Sequence, residues 1–115
     1  MTMASYHPQD ILAKVPEDRQ LTVIANNIGS NWEMLAAYLF VDGSTVVVDQ
    51  LVGEHQRSSM RVYYLLLRWR SEAEDATLRA LFGKMQKCGP LNVTWVKIAK
   101  ELGVSVEDIL ACKEM

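Results

Sequence analysis

The residues best placed to do chemistry are charged, and they are sorted by sign along the chain. Between Val41 and Gln56 the only charges are Asp42, Asp49 and Glu54, and between Arg57 and Arg70 they are Arg57, Arg61, Arg68 and Arg70. Guanidinium and carboxylate groups pair through charge-assisted, often forked hydrogen bonds. The chemistry on offer is therefore recognition between surfaces of opposite sign. Arg57, Arg61, Tyr64 and Arg68 are the candidate basic half of a protein–protein contact, and Asp42, Asp49 and Glu54 are the candidate acidic half. Exposed ion pairs contribute roughly 0–1 kcal/mol each, so charge would steer and select while apolar groups such as Tyr64 and Leu67 hold. Such a contact is heterologous and need not close into a ring. The competing reading is a solvated surface, with Tyr64 and Leu67 packed under the first helix.

Reactive groups are few. Cys88 and Cys112, in a chain whose start has no apolar secretory core, read as free thiols of a reducing cytoplasm. Cys88 follows Lys87, but a helix C-terminus raises a thiol pKa, so its role reads as structural or incidental. The only histidines, His7 and His55, are too few for a zinc site with two separated cysteines. There is no glycine-rich phosphate loop, histidine–carboxylate pair or nucleophile elbow, so neither catalysis nor a cofactor is expected. Asn92-Val93-Thr94 fits a glycosylation sequon that the same cytoplasmic reading makes accidental. A net charge of −2 gives no global attraction to nucleic acid or anionic membranes, and no apolar run is long enough to span a bilayer.

These groups need a scaffold, and 115 residues at 50% hydrophobic can bury one core without staples. Met60 to Arg70 is its organising helix: Val62, Leu65, Leu66 and Trp69 fall on one stripe, and Tyr63, Tyr64 and Leu67 form a second apolar patch. Before it, Val15-Pro16-Glu17-Asp18 reads as a helix start, with Leu21, Ile24, Ala25 and Ile28 inward and Gly29 ending the helix. Ser30-x-x-Glu33 fits a capping box for the next helix, whose inward face is Trp32, Leu35, Ala36 and Leu39. Thr45 to Val52 has strand propensity, but a lone strand would have no partner, and Val47, Val48, Leu51 and Val52 make a helical stripe. Asp75 is the expected cap of a helix through Lys87 with Leu78, Leu81, Phe82 and Met85 inward. Asn92 is the expected cap of a last helix that buries Trp95, Ile98, Ala99 and Leu102. Trp32-x-x-Leu35-Ala36-x-x-Leu39 recurs as Trp95-x-x-Ile98-Ala99-x-x-Leu102, which reads as two helices solving one packing problem more than as a duplication.

That makes six helices in an antiparallel all-α bundle over residues 17–103. A partly ordered leading segment, 1–16, precedes it, and a tail, 104–115, carries an extra helical turn. The order of motifs resembles the death domain, the six-helix bundle of apoptotic and innate-immune adaptors. Trp32 with Leu35-Ala36 is similar to the family's W-x-x-L-A, Leu66-x-x-Trp69 to its L-x-x-W, and Ala76-Thr77-x-x-x-Leu81 to its A-T-x-x-x-L. Around Trp69 and Ala76-Thr77 the chain looks most like the Fas-associated adaptors. The chain departs at Leu39-Phe40, where many members have L-G; Phe40 lacks glycine's freedom at positive φ. The resemblance implies a cytoplasmic signalling module that binds other death domains, homotypically or heterotypically. It implies a patch on the second and third of six helices docking on the first and fourth, with homo-oligomers among the assemblies. A regulatory module cut from a larger receptor or kinase is another form of this reading. The alternative is a small helix-turn-helix DNA-binding domain from Ile98-Ala99-Lys100-Glu101-Leu102-Gly103 to Ile109. Its recognition helix would carry Glu107, Asp108 and Glu114 against one Lys113, which opposes phosphate binding.

Overall fold

The computed structural model describes residues 8–40 and 42–112, and every regular element among them is helical. In chain order these are α1 (Pro8–Leu12), α2 (Asp18–Asn26), α3 (Trp32–Leu39), α4 (Ser44–Glu54), α5 (Ser58–Glu72), α6 (Leu78–Lys87), α7 (Trp95–Leu102) and α8 (Val106–Leu110). Helices α2 to α7 are the six expected, and two five-residue helices flank them. The expectations placed on His7, Val41, Lys113 and Glu114 lie outside the described residues.

The organising helix α5 lies closest to α2, α4 and α3, whereas α6, α7 and α8 are reached through α2 and α3 rather than packed on it. Of these neighbours, α2 and α4 run antiparallel to it. At the end of α5, Arg70 meets Asp18 and Pro16 at the start of α2. At its beginning, Arg61 reaches the end of α4. The loop after α2 pairs with the loop before α7 through Gly29 N–H to Asn92 C=O (2.8 Å) and Thr94 N–H to Asn27 C=O (2.9 Å). Ile28 and Val93 form a single antiparallel bridge there.

The valine segment is helical within α4. Val47 and Leu51 are buried and Val48 is half-buried, with Asp49 and Gln50 outside. Val52, expected on that stripe, is 44% exposed. At 3.6 residues per turn it lies about 140° round the helix from Val47, past the edge of the buried arc.

Several expected helix ends are built differently. Ser30 does not cap α3; Asn31 stands at the cap position without a side-chain cap hydrogen bond, in the left-handed region at φ 70, and its amide donates to the Pro90 carbonyl (2.9 Å). Asparagine tolerates that conformation better than other non-glycine residues. Helix α2 ends at Asn26, before Gly29. Thr77, not Asp75, caps α6 by accepting from Ala80 N–H, while Asp75 accepts from the Thr77 hydroxyl (2.9 Å). Thr94 occupies the cap position of α7 in place of Asn92. The Leu39-Phe40 exit needs no glycine, because Phe40 is extended (φ −127) and buried, and Gly43 (φ 79) supplies the left-handed turn.

Trp32, Leu35, Ala36, Leu66, Trp69, Leu81 and Ile98 are all buried, and the core contains no buried polar or charged residue among those described. Trp95 is half-buried instead. As the first residue of α7 it overhangs the core and meets Phe82 edge-on, with centroids 5.9 Å apart. Leu12 of the leading segment and Ile109 and Cys112 of the C-terminal segment are buried in the same cluster. Ser105 caps α8 in a reciprocal box with Asp108.

Truncating a fully buried aliphatic residue removes its transfer free energy and leaves a cavity. Ile109→Ala should therefore cost about 2–5 kcal/mol in urea unfolding. A loss below about 0.5 kcal/mol, typical of surface substitutions, would show that α8 is not part of the folded core.

Candidate protein-interaction surface

Helices α4 and α5 form an antiparallel hairpin, and it carries all seven candidate interface residues but Asp42, which lies just before α4. The hairpin uses most of its arginines internally. Arg61 donates from Nε to the His55 carbonyl (2.6 Å) and from Nη2 to the Val52 carbonyl (3.3 Å). Those carbonyls sit where a helix C-terminus leaves acceptors unsatisfied, so Arg61 closes the end of α4. Arg68 pairs with Glu72 one turn on (3.1 Å) and donates to the Gln50 side chain on α4 (2.8 Å). Arg70 is tied to Asp18 (2.7 Å) and to the Pro16 carbonyl (2.9 Å). Arg57 is exposed and has no ion pair or side-chain hydrogen bond among the described residues.

The acidic half is exposed throughout. Asp42, Asp49 and Glu54 have no cationic partner among the described residues. Because Gln50 touches Arg68 and Val52 touches Arg61, the acidic helix lies beside the basic one. The two signs alternate across one hairpin, where the sequence suggested separated patches.

Between them runs an apolar strip that sequence reasoning found only in part. Tyr64 is 38% exposed and stacks on the His55 ring, with centroids 4.3 Å apart and planes 4° from parallel, and Tyr63 meets Tyr64 edge-on at 5.2 Å. Met60, one turn before Tyr64, and Val52 are also exposed. Leu67, paired with Tyr64 in the sequence reading, packs against the core instead. The missed signal was the i, i+4 spacing of Met60 and Tyr64, which places both on one helix face. The Val52 and His55 contributions depend on how the hairpin closes.

Elsewhere the structure offers little reactive chemistry. Both cysteines are free and buried. Burial pushes each thiol pKa up, countered at Cys88 by a Leu91 backbone hydrogen bond and at Cys112 by Arg79, with Asp108 adding to the rise there. Among the described residues no cluster could hold a metal ion. No helix among them is long and apolar enough to cross a membrane. The candidate recognition helix α8 spans five residues, packs on α6 and α7, and exposes Glu107.

In comparison with known proteins, the family model described as "Death domain" matches residues 18–94, two thirds of the chain, from the start of α2 to the residue before α7. No individual curated protein matches the chain. No solved structure matches it either.

The internal and free arginines should separate in stability measurements. Arg61→Ala strips a charged donor from two helix-end carbonyls and should cost about 1–2 kcal/mol, within the range for hydrogen bonds to charged groups discounted for partial exposure. Arg57→Ala should change stability by less than about 0.5 kcal/mol. Equal losses on urea unfolding would contradict this division.

Proposed function

Because the chain belongs to the death-domain family, whose members are protein-interaction modules of signalling, we propose that it assembles with like-folded partners through the α4–α5 hairpin. The contact is heterologous: the carboxylates of Asp42, Asp49 and Glu54 on one copy face Arg57 and its neighbours Arg61 and Arg68 on the next. The observation that carries this reading is the exposed strip of Val52, Met60 and Tyr64, on a hairpin whose Arg57, Asp49 and Glu54 have no partner within the described fold. Apolar area supplies the adhesion, and the alternating charges select register and partner. Contacts of this kind are weak singly and gain by multivalency, which suits a cytoplasmic adaptor or receptor-proximal protein of apoptotic or innate-immune signalling. Neither nucleic acid nor membrane takes part in this scheme, and the module acts without a cofactor.

Arg57 is a cleaner probe than Arg68, whose reversal would also break the contacts to Gln50 and Glu72. Arg57→Glu should weaken self-association at least about tenfold in sedimentation velocity, a change of about 1.4 kcal/mol, with an unaltered thermal midpoint. Sedimentation equal to that of the parent chain would overturn the proposal.

A further inference from the structure

A cleft of about 220 Å³ opens between the C-terminal ends of α3 and α5, lined by Leu39, Phe40, Asp42, Trp69, Glu72 and Ala73. Its lining mixes apolar side chains with two carboxylates, which are its only charged groups. Trp69 is 1% exposed, and its Nε1–H is the one buried side-chain polar atom without a hydrogen-bond partner among the described residues. A buried donor left in this state is costly until an acceptor reaches it. The cleft is thus walled in part by the indole that carries this buried donor, with two carboxylates beside it. Glu72 spends one oxygen on Arg68, whereas Asp42 is uncommitted.

We propose that this cleft receives the Gln56-Arg57 turn of a second copy, the guanidinium pairing with Asp42 and Glu72 and a Gln56 oxygen accepting from Trp69 Nε1–H. The occupant must bring an acceptor and a cation close together, and both residues of that turn are exposed. Arg57 is unpaired among the described residues and has the planar fork suited to carboxylates. The chain cannot satisfy its own cleft. Arg57 precedes α5 and Glu72 ends it, fifteen positions on along the helix. At 1.5 Å per residue that is roughly 22 Å, beyond the reach of an arginine side chain. The arrangement is therefore head to tail. It rests on the homotypic reading above and gives that reading a socket.

The test follows the three tryptophan indole resonances of the full chain in ¹H–¹⁵N spectra as concentration rises, with sedimentation recorded on the same samples. The Trp69 signal should move as copies associate, and those of Trp32 and Trp95 should not. Asp42→Asn should weaken the association read from the Trp69 signal at least about threefold and Arg57→Ala at least about tenfold, each with unchanged circular dichroism. Association without movement of the Trp69 signal would overturn the socket and leave homotypic assembly standing. No association at all would overturn both. Movement on adding N-acetyl-arginine amide, but not on raising chain concentration, would assign the cleft to a different basic chain and overturn the proposed occupant.

Discussion

The structure depends on the burial of one side of α5. Val62, Leu65, Leu66 and Trp69 are removed from water there, and each large apolar side chain so buried stabilises the fold by about 1.5–3 kcal/mol. The facing stripes of α2, α3 and α4 exist to accept them. Once α5 is held, its polar groups are fixed in space. Arg70 reaches α2 and Arg61 and Arg68 reach α4 because the helix that carries them cannot rotate. The apolar core comes first, and the arginines then fasten its neighbours.

That order explains which charges remain for function. An arginine within reach of a helix-end carbonyl or a neighbouring carboxylate is used inside the fold. One at a turn, such as Arg57, is not. The same holds for the acids on α4, whose outward positions face no cation among the described residues. A surface that alternates sign around an apolar strip is self-complementary between copies, and it penalises partners that place like charges together.

Much of this was legible in the sequence, because apolar periodicity reports burial directly. The Val62-Leu65-Leu66-Trp69 stripe located the central helix. The absence of any pairing partner settled Thr45 to Val52 as helix despite its valines. The order of the tryptophan and alanine-threonine motifs pointed to the family that the match over residues 18–94 shows. What stayed hidden depends on contacts distant in the chain. The Pro16 carbonyl and the Arg70 guanidinium are 54 positions apart, so nothing local marks Arg70 as structural. Asn31 rather than Ser30 stands at the cap position of α3, its amide meeting the Pro90 carbonyl 59 positions away. Trp95 carried the inward spacing but stands at the first position of α7, where no preceding turn covers it. Charge segregation along the chain became adjacency in space once the hairpin folded.

The central claim is that two signs on one hairpin recognise each other across copies, and mixing reversed copies tests it most directly. One preparation carries Arg57→Glu, and the other carries Asp42→Lys, Asp49→Lys and Glu54→Lys together. Sedimentation of each alone should show monomer, and the mixture should restore association, since each reversed surface then meets its complement. A mixture that stays monomeric while the parent chain associates, or variants that associate as well as the parent when alone, would contradict the account.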